Sequence, residues 1–193
     1  MTPLSNAIAN DYFYMIDKLL VLGADPNAPD INGDTPLIKT IWLTMSSSSS
    51  DGATNNRQEI FKLVKRLVES GANVNAVNES GRTPLFTSIY QNNTEIALYL
   101  LENGATCTES NEMLQNNFTL LHYACFQGNY KLAKALLERN CDPNAMSSSR
   151  ESAIYIAVTK GYLDIVSLLV AYNADVNMFI GTDCDNKCTG KPN

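Results

Sequence analysis

The sequence repeats itself five times, and this repetition constrains the fold more than any other feature of the chain. Each block opens with a marker of the Thr-Pro-Leu type, and a second marker of the Gly-Ala-Asp-Pro-Asn type follows. In four of the five blocks, 21 residues separate the two markers. Such periodicity is typical of proteins in which each unit buries its apolar face against its neighbours. The first markers begin at Thr2, Thr35, Thr83, Thr119 and Ser152, and the second begin at Gly23, Gly71, Gly104, Asn140 and Asn173.

Each block predicts a pair of helices followed by a turn. The Thr or Ser that opens the block is suited to cap a helix, and proline is tolerated at the first helical position. Residues at offsets +2 and +6 from this cap are apolar and those at +5 are small, which predicts a buried, closely packed face. The second helix ends at Gly or Asn, which accept the left-handed backbone that follows a helix. The apolar pairs are Leu4 and Ile8, Leu37 and Ile41, Leu85 and Ile89, Leu121 and Cys125, and Ile154 and Val158.

A unit of helix, helix and turn that opens with Thr-Pro-Leu resembles the ankyrin repeat. His122 follows Thr119-Leu120-Leu121 at the position of the family's histidine, and Gly128 and Gly161 match its glycine between the two helices. The resemblance covers about residues 2–180. It implies an all-α ankyrin-repeat solenoid of stacked helix-turn-helix units, with β-turn or hairpin fingers and a concave groove along the first helices. It also implies that His122 hydrogen-bonds the turns of neighbouring repeats.

The repeat pattern divides the chain into an ankyrin repeat array at 1–183 and a C-terminal tail at 184–193. The second repeat contains an inserted serine-rich loop at 44–57, after which we expect the helix to resume near Gln58. This loop is either a tolerated surface insertion or a regulatory loop, with Ser48 and Asp51 as an acid-directed phosphorylation motif. The finger after the third repeat is also lengthened. The repeats are about 1–33, 34–81, 82–117, 118–150 and 151–183.

The composition excludes several classes of function. The chain carries 14 basic and 20 acidic side chains, a net charge of −6, which argues against binding to nucleic acid or to anionic membranes. No apolar stretch is long enough to span a bilayer, and Asn6, Asn10 and Asp11 interrupt the region where a signal peptide would lie. We therefore expect a protein of the cytoplasm or the nucleus with no membrane insertion. In that compartment, the odd number of five cysteines predicts reduced thiols.

No group of residues predicts catalysis, a metal site or a cofactor. Cys184 and Cys188 form a C-x3-C pair that lacks further ligands at metal-binding spacing. Cys125 is expected to fill the core, and Cys107 and Cys141 lie in turns with no evident partner. No phosphate-binding loop, dinucleotide fingerprint or zinc-protease motif occurs in the sequence. The sequence therefore predicts a chain that is not an enzyme and has no small-molecule substrate.

Function is then expected in the recognition of a partner protein. Offset +7 carries large aromatic residues in three consecutive repeats, which predicts a continuous row of rings along the groove, where aromatic side chains commonly anchor a partner. On either side of this row of rings, offset +8 and the fingers carry further polar and aromatic residues. The alternative is that the rings are core, with Trp42 covered by the inserted loop or by the second helix around Ile60 and Phe61. The candidate partner-binding residues are Trp42, Tyr90, Phe126, Gln91, Gln127, Arg82 and Phe118.

The favoured function is a non-enzymatic protein-interaction module that binds its partner through the groove and the finger tips. Two alternatives stay open. The chain could be the substrate-recruiting adaptor arm of a larger assembly, such as a ubiquitin ligase of the ankyrin–SOCS-box kind, or an ankyrin domain of a larger enzyme or channel. The adaptor alternative is motivated by the ends of the array, which lack the polar capping units that such stacks need. We therefore expect either a fragment of a longer protein or a tail that folds over the end.

Overall fold

Five pairs of α-helices stack in chain order. The computed structural model describes residues 2–43, 53–107 and 117–177. In these ranges it contains ten α-helices and no strand, and a single antiparallel bridge joins Met146 to Ser152. The all-α solenoid predicted from the sequence is confirmed. The helices are α1 (Pro3–Ala9), α2 (Phe13–Val21), α3 (Pro36–Trp42), α4 (Ala53–Glu69), α5 (Pro84–Tyr90), α6 (Thr94–Glu102), α7 (Leu120–Phe126), α8 (Tyr130–Glu138), α9 (Ala153–Thr159) and α10 (Leu163–Ala171).

The ends of the helices follow from local sequence. The side-chain hydroxyl of each predicted cap accepts a hydrogen bond from the backbone N–H three residues on, as Thr35 does from Ile38 and Ser152 from Tyr155. This bond satisfies one of the donors that a helix N-terminus leaves free. Left-handed residues follow the second helices, with φ of +89° at Gly71 and +61° at Asn140. The predicted capping and termination signals are therefore confirmed.

The core runs continuously between the stacked pairs. Each odd-numbered helix contacts the next odd-numbered one, and α4, α6, α8 and α10 contact one another in the same order. The small residues at offset +5 are buried in all five repeats, which allows this close approach. They are Ala7, Thr40, Ser88, Ala124 and Ala157.

The buried face at offset +6 is confirmed in four repeats and wrong in the fifth. Ile8, Ile41, Ile89 and Cys125 are fully buried, whereas Val158 is 59% exposed. Each of the four buried side chains lies on a first helix that contacts the first helix of the following repeat. Among the described residues no first helix follows α9, so Val158 has no neighbour there.

Helix α4 is longer than the sequence predicts. It begins at Ala53, five residues before Gln58, and spans 17 residues. Adding a residue to an existing helix gains a hydrogen bond and needs no new nucleus, so a polar stretch can extend a helix whose apolar face is already packed. Residues 44–52 lie outside the described residues, as does the proposed phosphorylation motif. No helix in the described ranges, α4 included, is both long and apolar enough to cross a bilayer.

The prediction of unpartnered, reduced thiols is wrong for Cys107 and Cys141, which form a disulfide with their Cα atoms 5.6 Å apart. They are separated by 34 residues in sequence. Because this separation is close to one repeat, stacking brings the two positions to the same level of adjacent repeats. Cys125 is a buried free thiol, as predicted. Cys184 and Cys188 lie outside the described residues.

Candidate functional site

The candidate groove is lined by the odd-numbered helices, whose C-terminal ends carry the predicted aromatic residues. Tyr90 ends α5 and is 50% exposed, and Phe126 ends α7 and is 51% exposed. Trp42 ends α3 and is half-buried. Two of the three predicted rings therefore present large apolar faces to solvent from equivalent positions of adjacent repeats.

An aromatic cluster extends across the second, third and fourth repeats. The Tyr90 ring lies 6.2 Å from that of Trp42, 5.7 Å from that of Phe86 and 6.1 Å from that of Tyr123, measured between ring centroids. The Phe118 ring lies 5.5 Å from that of Tyr123 in an edge-to-face arrangement. The edge-to-face contacts of Tyr123 with Tyr90 and with Phe118 are favourable because the positive edge of one ring meets the negative face of the other. We call Trp42, Phe86, Tyr90, Phe118 and Tyr123 the aromatic cluster.

Phe126 stands apart from the aromatic cluster. Within the described ranges its ring makes no contact with that of Tyr90, so the contiguous rings include Trp42 and Tyr90 and do not extend to Phe126. Tyr123, one helical turn earlier on α7, contacts Tyr90 instead. The Phe126 ring is covered by Lys160, whose Nζ atom lies 4.3 Å from the ring centroid. This cation–π contact leaves half of the Phe126 side chain exposed.

Arg82 brings a positive charge to the aromatic cluster. Its guanidinium carbon lies 5.1 Å from the centroid of the Trp42 ring, a distance at which a cation is attracted to the ring face. Burial raises the pKa of Tyr123, and Tyr90 acts in the same direction, while the charge of Arg82 opposes both. Tyr123 therefore stays neutral at physiological pH, and the fixed charge of the cluster is that of Arg82.

Gln91 and Gln127 link neighbouring repeats at the floor of the groove. The Nε2 atom of Gln127 donates to the carbonyl oxygen of Ile89 at 2.7 Å, and that of Gln91 donates to the carbonyl oxygen of Trp42 at 3.5 Å. Both amides therefore bond carbonyl groups near the C-terminus of the preceding first helix, and Gln127 adds a donor to the Ile89 carbonyl oxygen, which also accepts from the Asn92 N–H. The structure gives both residues an architectural contact in addition to the predicted role in binding.

His122 joins the fourth repeat to the fifth beneath the aromatic cluster. Its Nδ1 atom accepts from the backbone N–H of Thr119 at 3.0 Å, and its Nε2 atom donates to the carbonyl oxygen of Glu151 at 3.0 Å. The predicted hydrogen bond to a neighbouring turn is confirmed. The ring is fully buried and lies 5.2 Å from that of Phe118. Phe118 is therefore held by His122 and Tyr123 rather than projecting freely from the finger.

The buried state of His122 predicts a pH dependence of stability. Burial lowers the pKa of His122 below its ordinary value, and the hydrogen bond to Glu151 only partly compensates. On acidification below about pH 6.5 the unfolded chain takes up a proton before the folded protein does. We expect the free energy of unfolding to fall by at most about 1.4 kcal/mol per pH unit between pH 6.5 and the folded pKa. Urea unfolding at pH 7, 6 and 5 measures it.

The matched variant for this measurement is His122→Gln, which removes the single histidine of the chain. In this variant the free energy of unfolding should no longer depend on pH between 6.5 and 5. An unchanged slope of the free energy against pH would contradict the assignment to His122.

The carboxyl group of Asp30 does not contribute to this slope. Burial raises the pKa of its carboxyl, but hydrogen bonds from Lys39, Asn32 and Asp34 outweigh this and hold it below the ordinary value. The contribution of the Asp30 carboxylate to the free energy of unfolding is therefore lost only at still lower pH.

Sequence reasoning missed three residues of the groove: Phe86, Tyr123 and Lys160. Phe86 and Tyr123 occupy offsets +3 and +4, where the five repeats share no common residue type. No periodic signal could therefore have selected them. Lys160 follows α9 as its C-cap, and only the stacking of α9 on α7 brings its charge over Phe126.

Two family models match most of the described chain. Residues 55–101 match ankyrin repeats (many copies), and residues 108–180 match ankyrin repeats (3 copies). Among solved structures, the ankyrin repeat domain of human ASB11 superposes with a TM-score of 0.65. That likeness covers 92% of this chain and 72% of the other at 24% sequence identity, and it shows the fold alone.

Full-length relatives match over short segments. The NAD-capped RNA hydrolase NUDT12 of Homo sapiens is 41% identical over 59 residues, which is 31% of this chain and 13% of the hydrolase. Alpha-latrocrustotoxin-Lt1a of Latrodectus tredecimguttatus is 30% identical over 92 residues, which is 47% of this chain and 6% of the toxin. The chain therefore spans a small fraction of the length of both relatives.

Proposed function

Since the chain belongs to the ankyrin repeat family, we propose that it binds a partner protein through the groove formed by α3, α5 and α7 and through the adjoining fingers. Ankyrin repeats generally mediate protein–protein interaction. Within this fold, specificity resides in the side chains that the scaffold displays rather than in the scaffold itself. The proposal therefore depends on which groove residues are accessible.

The observation that carries the proposal is the exposure of Tyr90 and Phe126. Each leaves about half of its side chain in water, at 50% and 51%, although both lie on a closely packed helix. Covering a large aromatic side chain with a partner stabilises the complex and costs little rotamer entropy, which is why such side chains dominate binding hot spots. Arg82 and Lys160 lie against the faces of Trp42 and Phe126 and add charge at the same surface.

We expect Tyr90→Ala and Phe126→Ala to weaken partner binding by about 1 kcal/mol or more each, which is roughly a fivefold rise in dissociation constant. The partner is first captured from lysate with the wild-type chain and identified by mass spectrometry. Its affinity for each purified variant is then measured by titration. Because both rings are half exposed, the midpoint of denaturant unfolding should change little.

Tyr14→Ala is the matched control, since Tyr14 lies on α2 and is 85% exposed. It removes a similar aromatic surface outside the groove and should leave affinity unchanged. Equal affinity of the wild type, Tyr90→Ala and Phe126→Ala would place the binding surface elsewhere. A large loss of stability in either groove variant would show that these rings serve the core.

We propose further that the array itself is not an enzyme and holds no cofactor or small-molecule substrate. Both nitrogens of the single histidine, His122, are engaged in buried hydrogen bonds, so the ring is poorly placed to act as a base. Burial raises the pKa of the Cys125 thiol to about 12, which disfavours the nucleophilic thiolate. If the array is one part of a longer adaptor, enzyme or channel, catalysis would lie in another part, and its role would again be recognition. The acidic charge is consistent with a place in the cytoplasm or the nucleus, which cell fractionation would test.

A further inference from the structure

Asparagine side chains connect the turns of neighbouring repeats at three of the four interfaces. In each case one asparagine, in the turn after a second helix, bonds two peptide groups of the next repeat. Its Nδ2 atom donates to a carbonyl oxygen, and its Oδ1 atom accepts from the N–H two residues further on. We call this arrangement the asparagine clamp. The clamps are Asn27 with Gly71 and Asn73, Asn75 with Gly104 and Thr106, and Asn144 with Asn173 and Asp175.

The interface between the third and fourth repeats differs. The position equivalent to the clamping asparagine is residue 108, a threonine that lies outside the described residues. The preceding residue, Cys107, forms the disulfide to Cys141. Cys141 lies between Asn140 and Asp142, whose peptide groups are those that a clamp would bind. A covalent bond therefore occupies the level at which the other interfaces carry the clamp.

At the other three interfaces, the positions equivalent to Cys107 and Cys141 hold residues without redox chemistry. At the other interfaces, the position of Cys107 holds proline or valine and the position of Cys141 holds alanine. These pairs are Pro26 and Ala72, Val74 and Ala105, and Pro143 and Ala174. Both positions carry cysteine only at the interface between the third and fourth repeats, which is also the one interface where the clamping asparagine is replaced. The cysteines on the two sides of this interface therefore occur together with the loss of the asparagine.

We propose that Cys107 and Cys141 form a reversible thiol–disulfide site that locks the third repeat to the fourth in place of the asparagine clamp. The aromatic cluster crosses this same interface, since Tyr90 of the third repeat contacts Tyr123 of the fourth. The lock therefore also steadies the floor of the groove. This site is independent of the proposed partner, because its formation and its effect on stability need no bound protein.

The oxidant is a low-molecular-weight disulfide such as glutathione disulfide. Cys107 is only partly buried whereas Cys141 is 7% exposed, so Cys107 reacts first. Its thiolate attacks one sulfur of glutathione disulfide, forms a mixed disulfide and releases one glutathione thiolate. The Cys141 thiolate then attacks the sulfur of Cys107 and releases the second glutathione. Two electrons pass from the protein thiols to the oxidant, and their two protons pass to the released glutathione molecules.

The cross-link is expected to stabilise the oxidised protein. It closes a loop between residues 34 positions apart, which removes conformations from the unfolded chain. In the reduced protein the interface keeps its packed helices but has neither a disulfide nor a clamp asparagine. For a chain of this size we expect reduction to lower the melting temperature by on the order of 10 °C.

The test uses the full chain, equilibrated with excess glutathione disulfide or with excess dithiothreitol and then alkylated with iodoacetamide. Digestion with trypsin and a glutamate-specific protease separates Cys107, in the peptide 103–109, from Cys125, and places Cys141 in the peptide 140–150. Mass spectrometry should find these two peptides linked after oxidation and separately alkylated after reduction. Preferential linkage of Cys107 to Cys184 or Cys188, or no linkage, would overturn the proposal.

Thermal unfolding of the same samples provides the second measurement. The melting temperature should depend on redox state in the wild type and in Cys125→Ala, and the dependence should vanish in Cys107→Ser/Cys141→Ser. Asn75→Ala removes the clamp at the neighbouring interface and should lower the melting temperature equally in both redox states. Identical melting temperatures of the oxidised and reduced wild type would overturn the lock. The peptide map decides the pairing even if the double variant does not fold.

Discussion

Replacing His122 by alanine is expected to lower the free energy of unfolding by about 3 kcal/mol, because two buried hydrogen bonds lose their partner. The imidazole is fully buried, accepts from the Thr119 N–H and donates to the Glu151 carbonyl oxygen. Truncation leaves the Thr119 N–H unsatisfied and opens a cavity beside Phe118. The Glu151 carbonyl oxygen loses one of its two donors and keeps the Ser147 N–H. Urea unfolding at pH 7, followed by circular dichroism, measures the loss.

Tyr155→Ala is the control for this variant. Tyr155 occupies the same offset in the fifth repeat but is only half-buried. Its truncation should cost about 1.5 kcal/mol, since less apolar area is involved and no inter-repeat hydrogen bond of the His122 type is lost. A His122→Ala variant that unfolds at the same urea concentration as the wild type would show that water replaces the imidazole without loss.

The second large effect is expected at offset +6 of the repeats. Ile89→Ala should lower the free energy of unfolding by about 3 kcal/mol, because Ile89 is 1% exposed and its truncation leaves a cavity between α5 and α7. Val158 occupies the same offset on α9 and is 59% exposed. Val158→Ala should change stability by less than about 0.5 kcal/mol.

This pair of variants separates sequence pattern from tertiary environment, since the two positions are equivalent in the repeat. Denaturant unfolding of both proteins under identical conditions gives the comparison. If Val158→Ala destabilised the chain as much as Ile89→Ala, another part of the protein would have to cover α9. Equal and small effects would contradict the burial of Ile89.

Local structure was predictable because its causes are local. Thr35 and Ser152 cap helices through bonds to residues three positions away, and Asn140 adopts the left-handed backbone that ends α8. The start of α4 was not predictable in this way. The polar composition before Gln58 indicates a loop, whereas extension of an already packed helix needs only one more hydrogen bond per residue.

The candidate site was predictable only in part. The periodicity correctly selected Tyr90 and Phe126 as exposed rings, because offset +7 lies beside the buried face of each first helix. It did not select Tyr123 or Lys160, since contacts across an interface depend on side chains from two repeats at once. Gln91 and Gln127 were expected at the binding surface, and only the stacked helices show that they bond the preceding repeat.

The sequence by itself determined the number of repeats, their helices, their caps and the apolar face that each unit must bury, because these depend on residues within one unit. Only the tertiary structure decided which of the equivalent positions are buried and which are exposed. Ile89 is buried and Val158 exposed because one has a following helix against it and the other, among the described residues, does not. Cys107 meets Cys141 for the related reason that stacking places residues one repeat apart at the same level.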